Sequence, residues 1–401
     1  MRTRWPRARL IESAVNLGFA AGNRRLAEEA SGDAMVFLNN DTHVAPDWLA
    51  ALASAIAAAP GDVAAVSGLV LDWEGERLDF GRGILTFDGH GFQLDQGRRL
   101  ERARRPEAGA ELLFPSGGNM LVWRDTFFAL GGFDDDYFAY LEDVDLGWRL
   151  WSAGWRVLHA PGARTFHRGA GTSDLLGQSH RGFLFERNAF LTAYKNYEAG
   201  VWEGMMPAVL LTLLSRIETL TVENNPGGQL LTVDPYAGLI ANTAGSAHVA
   251  GGSRNEEAAA ATRPAPSTTA ATGDVEGARS RSARDLARRG LGALRWPRTP
   301  RQTATGGKDT VPRLVDARTI AHHRAVWNLL GGLDRAAAKR ERVQDLRRRG
   351  DAEIFARFPL YVVPTYPGDA ALFGGAGFRA WLPPDLPFLD STLEEVMSWE
   401  R

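Results

Sequence analysis

The segment Asp33 to Thr42, DAMVFLNNDT, constrains the fold of this chain more than any other stretch. Its apolar run, Met35 to Leu38, stops abruptly at Asn39, Asn40, Asp41 and Thr42. A short continuous apolar run bounded by turn-forming residues predicts a strand buried on both faces, the usual state of a strand in a parallel sheet. Open α/β sheets bind ligands beyond the carboxyl ends of their strands, so Asp41 is expected at the mouth of a site. A carboxylate there is a hard oxygen donor suited to Mg²⁺ or Mn²⁺, an ion that could bridge to a diphosphate. The same residues serve equally well as a turn and helix cap before PDWLAALASAI.

Composition narrows the function classes. The 401 residues allow one large domain or two ordinary ones. Cysteine is absent, which excludes a disulfide scaffold, a thiolate metal site and a thiol nucleophile, so any metal must be held by oxygen or imidazole. Lys plus Arg number 46 against 48 Asp plus Glu, a net charge of -2, so no nucleic-acid partner is expected. The opening residues, MRTRWPRARLIES, lack the apolar core of a secretory signal, and the expected location is cytoplasmic.

The chain divides by composition into four expected parts. Residues 1–200 are dense in short apolar runs, Gly turns and helical patterns, as in an α/β domain. Residues 201–243 open with VWEGMMPAVLLTLLSRIETLTV, read as an apolar helix too short and too interrupted by Glu203 and Pro207 to span a bilayer. It is expected to pack on the domain, with contact at a membrane surface as the alternative. Residues 244–310 are rich in Ala, Gly, Ser, Thr and Arg and poor in large apolar side chains, the composition of a disordered linker. Its arginines are read as a solvated basic run, with an anionic membrane as the sharper alternative. Residues 311–401 are charged, helical and then Pro-rich, and read as an accessory extension; His322 and His323 within them are expected at the surface.

Two further segments could carry chemistry. FPSGGNM, Phe114 to Met120, supplies a backbone turn that a ligand can approach closely. It is followed by Asp134 to Asp136 and then by Glu142, Asp143 and Asp145, the last group opening a helix that buries Leu146, Trp148, Leu150 and Trp151. Carboxylates in a first helical turn are stabilised by the helix dipole, and one at a cavity edge can equally serve as a general base. His167 closes a strand-like stretch before Gly169 and Gly171, where imidazole could meet a metal or phosphate or simply be a hydrogen-bonded structural residue. TGGKDT lacks the first Gly and the hydroxyl of a phosphate-binding loop and is set aside.

Taken in order, NLGFAAGNRR, FLNNDT, SGGNMLVWRD, GGFDDDYFAYLEDVDLGWRL and TFHRGAGTS resemble the family 2 glycosyltransferases of the GT-A fold, on the bacterial rhamnosyltransferase-like side. The resemblance covers residues 8–197. It implies an α/β fold of GT-A type, a Rossmann-like mixed sheet flanked by helices, with a helical C-terminal extension. It further implies inverting transfer of a sugar from a UDP- or dTDP-linked donor to a glycan or glycolipid hydroxyl in bacterial cell-surface polysaccharide synthesis. Residue by residue, Asp41 matches the metal- and diphosphate-binding Asp, with Asn39 in place of the first Asp of that motif. Asp143 matches the general base, with Glu142 helping to orient the acceptor. His167 matches the His that completes a site for Mn²⁺ or Mg²⁺. Asn16, Gly18 and Asn23 match a loop along the nucleotide, and Gly118 and Asn119 a turn lining the sugar pocket.

The chain departs from the family at its start, where a strand, a helix and a strand ending in Asp-Asn-Gly-Ser are expected but not seen. It also departs at Arg24 and Arg25, which alter the nucleotide loop. The expected fold is therefore N-terminally incomplete. The rival reading of the whole chain is a non-catalytic remnant or interaction protein that keeps part of the core. Peripheral contact with the inner face of the plasma membrane is left open.

Overall fold

The computed structural model describes residues 6–169, 173–224 and 317–397. In chain order its strands are β1 (Ala34–Leu38), β2 (Thr42–Val44), β3 (Val63–Asp72), β4 (Leu78–Phe80), β5 (Gly83–Leu85), β6 (Gly91–Gln93), β7 (Asn119–Trp123), β8 (Arg156–His167), β9 (Leu360–Val362) and β10 (Phe388–Asp390). Its first six α-helices are α1 (Gly18–Glu28), α2 (Trp48–Ala58), α3 (Arg124–Ala129), α4 (Glu142–Ser152), α5 (Ser173–Asn196) and α6 (Ala199–Asn224). The C-terminal part adds α7 (Ala317–Asp345), α8 (Asp351–Arg357), α9 (Asp369–Gly374), α10 (Ala376–Arg379) and α11 (Leu393–Val396).

The main sheet is mixed, in the order β1-β7-β3-β8-β2, with β4 attached to β3. β3, VAAVSGLVLD, is its axis: parallel to β8 on one side and antiparallel to β7 on the other, and buried from Val63 to Leu71. A strand paired on both edges and covered on both faces needs a largely apolar run, and β3 has one, broken by the buried Ser67, whose hydroxyl accepts the Ser116 N–H. β1 departs from expectation. It is antiparallel, pairs within the described residues only with β7, and alternates, with Met35 and Phe37 inward and Leu38 exposed. A terminal strand with one solvated face tolerates an apolar run without burying all of it. It nevertheless delivers Asp41 beyond its carboxyl end, as expected.

α4 buries the four apolar residues assigned to it, Leu146, Trp148, Leu150 and Trp151. The Trp148 ring meets Tyr197 and Phe355 edge-on at 4.7 and 5.2 Å, and Phe355 belongs to α8. The C-terminal part is thus no appendage: Ile354, Phe355, Leu360, Val362, Phe373 and Phe378 lie in the same core cluster as the sheet. Each such side chain contributes about 1.5–3 kcal/mol on burial. The described residues all fall within one compact unit, Met1–Thr232 with Pro312–Arg401; the basic linker expected at 244–310 lies outside the described residues.

α6 corrects a further expectation. It runs 26 residues through Pro207 and is, by length and composition, apolar enough to cross a membrane. One face packs on the core through Trp202, Met205, Ala208, Val209 and Leu220, while Met206, Leu210 and Leu214 on the other are exposed. Arg216, also buried, reaches Asp88 at 3.1 Å, Glu186 at 3.5 Å and Asp369 at 3.0 Å. His90 lies between Asp88 (3.1 Å) and Glu186 (3.2 Å), and burial opposes its charge, but the two carboxylates outweigh that and raise its pKa to about 9. Burial likewise opposes the charge on Glu186, and His90 and Arg216 hold its pKa down to about 2. The network joins the segment between β5 and β6, α5, α6 and α9. His322 is part of it: it is fully buried rather than at the surface, 3.5 Å from Glu186.

Candidate functional site

Strand pairing assembles the first half of the site. β2 runs antiparallel to β8 with Thr42 opposite His167, so the turn after β1 is carried to the end of β8. The Thr42 hydroxyl donates to the Asn39 carbonyl (2.6 Å), and the Arg168 amide donates to the Asp41 carbonyl (3.1 Å). Asp41 Oδ1 and His167 Nε2 then stand 3.3 Å apart. The other imidazole nitrogen, Nδ1, is 2.6 Å from Asp79 Oδ2, and Gln96 Nε2 donates to the second oxygen of Asp79 at 2.8 Å. The hydrogen bond to Asp79, with the charges of Asp79 and Asp41, raises the His167 pKa against the effect of burial.

The second half is built at the head of α4. Phe138, Tyr140 and Leu141 all have positive φ, at 63°, 72° and 67°, immediately before Glu142. Non-glycine residues occupy that region at a cost and only where the surroundings impose it. Here the imposition comes from α5: Asn188 Nδ2 donates to the carbonyls of Tyr137, Ala139 and Tyr140 at 3.0, 2.9 and 2.7 Å. Arg187 adds bonds to the Asp136 and Tyr137 carbonyls. Neither residue was singled out from sequence, where the only signal was a pair of polar side chains inside an otherwise core-facing helix.

The strained turn aims Asp143 at the glycine pair. Gly117 donates its N–H to Asp143 Oδ2 at 2.8 Å, and a Cβ on Gly117 would lie 3.3 Å from that oxygen. A Cβ on Gly118 would lie 2.8 Å from the Asn39 side chain, so glycine is what allows the turn to pack on the end of β1. The contacts run without a break from Asp143 through Gly117, Gly118 and Asn39 to Asp41, His167 and Asp79.

Glu142 differs sharply from its neighbour. It is buried, and its Oε2 has no hydrogen-bond partner. Burial, reinforced by the adjacent Asp143 charge, pushes its pKa up to about 8, which favours the protonated form. Burial also raises the Asp143 pKa, opposed by the N–H groups of Gly117 and Val144. A carboxyl whose folded pKa exceeds its unfolded value stabilises the fold fully below the unfolded pKa and loses that contribution as pH rises through the folded one. Glu142 should therefore weaken the fold between about pH 4.5 and 8, and Glu142→Gln should flatten this decline. Denaturant unfolding at several pH values checks it: parallel curves for the two proteins would refute the assignment.

Other expected site residues go elsewhere. Asn119 is fully buried; its Nδ2 donates to the Leu69 and Ala163 carbonyls and its Oδ1 accepts from Trp48 Nε1. It braces the register shift between β3 and β8, with all three of these bonds made inside the protein. The expected nucleotide loop is largely helix: Asn23 sits in α1 and donates to the Phe19 carbonyl, while Asn16 accepts from the Gly18 amide. Gly18, at φ +73°, is required where α1 meets the strained turn, since a Cβ would come within 2.4 Å of the Phe138 carbonyl. A cavity of about 540 Å³ opens on the Asp79 side of His167, with Trp73, Arg77 and Arg168 among its walls.

The pair Asp41 and His167 fits a divalent cation. Donors about 3 Å apart suit neighbouring positions around an ion with bonds of about 2.1 Å, and the second imidazole nitrogen is held by a carboxylate as metal-binding histidines usually are. Among the described residues no group of three or more His, Asp or Glu side chains could hold a metal. Such an ion would need further ligands from a bound phosphate or water.

Comparison with known proteins follows this geometry. The family model for glycosyl transferase family group 2 matches residues 34–233. An N-acetylglucosaminyl-diphospho-decaprenol L-rhamnosyltransferase of Mycobacterium tuberculosis is 32% identical over 202 residues, covering 44% of this chain and 64% of that protein. The O-antigen biosynthesis protein RfbC of Myxococcus xanthus is 32% identical over 169 residues, 41% of this chain and 13% of that protein. Among solved structures, GalNAc-T7 with UDP, GalNAc and Mn²⁺ aligns at a TM-score of 0.40 and 16% identity, over 54% of this chain and 41% of that one. The mannosyltransferase PcManGT of Pyrobaculum calidifontis, in complex with GDP-Man and Mn²⁺, aligns at 0.32 and 17%, over 60% and 62%. Neither superposes closely enough to carry residue roles across. Residues 34–233, which carry most of the strands and helices that build the site, thus match glycosyl transferase family group 2, and the chain, spanning 64% of the length of the mycobacterial relative, is similar to a rhamnosyltransferase and to an O-antigen biosynthesis protein.

Proposed function

We propose that the chain transfers a sugar, with inversion, from a nucleoside-diphosphate sugar to a hydroxyl of a lipid-linked or free glycan in bacterial cell-surface polysaccharide synthesis. The observation that carries the reading is the unbroken line of contacts between the Asp143 carboxylate and the Asp41–His167 pair. Asp143 takes the proton from the acceptor hydroxyl as its oxygen bonds to the anomeric carbon. The bond from that carbon to the diphosphate breaks on the opposite face, and the electron pair leaves with the nucleoside diphosphate. Glu142, whose burial favours the protonated form, lessens the negative charge beside the attacking oxygen. Asp41 and His167 would hold Mn²⁺ or Mg²⁺, which when bound offsets charge on the departing diphosphate. Arg77 and Arg168, the latter with its guanidinium 4.7 Å over the Trp73 ring, offer positive charge in the adjoining cavity. UDP and dTDP donors are the first candidates, and a cytoplasmic location with contact at the inner membrane face fits a lipid-linked acceptor.

Calorimetry with UDP or dTDP in the presence of Mn²⁺ tests the reading. Binding is expected to need the ion and to be lost in Asp41→Ala. Binding that is equally strong with a chelator present would remove the metal assignment, and no binding of any nucleoside diphosphate would favour the non-catalytic remnant.

A further inference from the structure

The carboxylate of Asp79, the amide of Gln96 and the turn at residues 392–397 lie behind His167 with no part in the chemistry above. Asp79 stands on β4, and its approach to His167 follows from pairing alone: Leu78 lies opposite Leu71 on β3, and Asp72 opposite His167 on β8. The 2.6 Å contact between Nδ1 and Asp79 Oδ2 places the proton on Nδ1 when the ring is neutral, because a carboxylate can only accept. That leaves the Nε2 lone pair facing Asp41. Asp79 is itself held, by the 2.8 Å bond from Gln96 Nε2.

Gln96 is held in turn by the far end of the chain. It forms a parallel bridge with Met397, the neighbouring Asp95 amide donates to the Val396 carbonyl at 2.6 Å, and Arg104 joins the Asp95 carboxylate to the Glu395 carbonyl. The turn that supplies these groups, α11, is closed by a capping box of Thr392 and Glu395. Met397 and His167 both line the 540 Å³ cavity.

We propose that Asp79 is a positioning residue that fixes the tautomer and orientation of His167 for a cation shared with Asp41, and that the C-terminal segment 392–397 braces it through Gln96. The proposal rests on the cation reading of Asp41 and His167. It gives a role to a segment outside the family match, which ends at residue 233.

Two measurements on the full chain test it. The first is the His167 tautomer, read from ¹⁵N-imidazole correlations above pH 8 and assigned by comparison with His167→Ala. The unaltered protein should show Nδ1–H, and Asp79→Ala should shift the ring to Nε2–H. The second is Mn²⁺ affinity in the presence of UDP or dTDP, read by electron paramagnetic resonance. Asp79→Ala should weaken it by about 10–100-fold, the usual effect of removing a carboxylate behind a metal-binding histidine. Asp79→Asn, which keeps an oxygen acceptor, should lose less, and Gln96→Leu should fall between Asp79→Ala and the unaltered protein. Circular dichroism confirms that each variant is folded. An unchanged tautomer in Asp79→Ala, or an unchanged Mn²⁺ affinity where the unaltered protein binds the ion, overturns the proposal. If the unaltered protein takes up no Mn²⁺ with nucleotide, the cation reading fails, and the tautomer comparison still decides whether Asp79 sets His167.

Discussion

Asp143→Asn is expected to lower turnover by about 10²–10⁴-fold, the range a positioned general base contributes, while leaving nucleoside-diphosphate affinity unchanged. The substitution conserves shape and costs one hydrogen bond, since the Asn NH₂ replaces the Oδ1 that accepts the Val144 N–H at 2.9 Å. The Asn carbonyl can still accept the Gly117 N–H now bonded to Asp143 Oδ2, so the glycine turn keeps its partner. What disappears is the proton acceptor, at a position half-buried at the head of α4 where burial already raises the carboxyl's proton affinity. A fall in kcat with equal loss in kcat/KM is the signature of an interaction made only in the transition state. Steady-state transfer assays paired with nucleotide titrations read both quantities. Retained turnover would move the base elsewhere, and lost nucleotide binding would show that the glycine turn had collapsed.

Arg216→Met is expected to destabilise the fold by about 3–5 kcal/mol, the cost of removing one partner from a buried ionic cluster. Asp88, Glu186 and Asp369 would stay buried with His90 as the remaining close cation of the cluster. Methionine fills much of the volume of the arginine stem, so the loss is electrostatic rather than a cavity effect. The variant should therefore recover part of its deficit as pH falls and the stranded carboxylates take up protons, even though the unaltered protein does not gain in the same way. Denaturant unfolding at two pH values measures this. A deficit that does not change with pH would assign the effect to packing, and an unchanged midpoint would show that the cluster contributes nothing to the union of α6, α9 and the sheet.

The candidate site residues were legible where they stand at the ends of elements. Asp41 follows a strand, His167 closes one, and Glu142 and Asp143 open a helix; in each case a local change from apolar run to polar group marks the spot. Residues whose role depends on a partner distant in the chain left no such mark. Asn119 looks from its neighbours like part of a ligand turn, yet its amide closes three hydrogen bonds inside the sheet. His322 reads as a surface residue of a charged helix, yet α7 lies against α5 and buries it beside Glu186. Asp79 carries no local signal, because its meeting with His167 depends on two strand pairings through β3.

The sequence by itself pointed to an α/β class and to the strand and helix ends where the candidate site residues stand, because hydrophobic period and turn chemistry act over a few residues. Tertiary structure decided that β1 pairs antiparallel with β7, that one face of α6 and the C-terminal part join the core, and that burial favours a protonated Glu142 where Asp143 has hydrogen-bond support. Those outcomes depend on burial and on charges brought together from distant parts of the chain, and neither is a property of any local stretch.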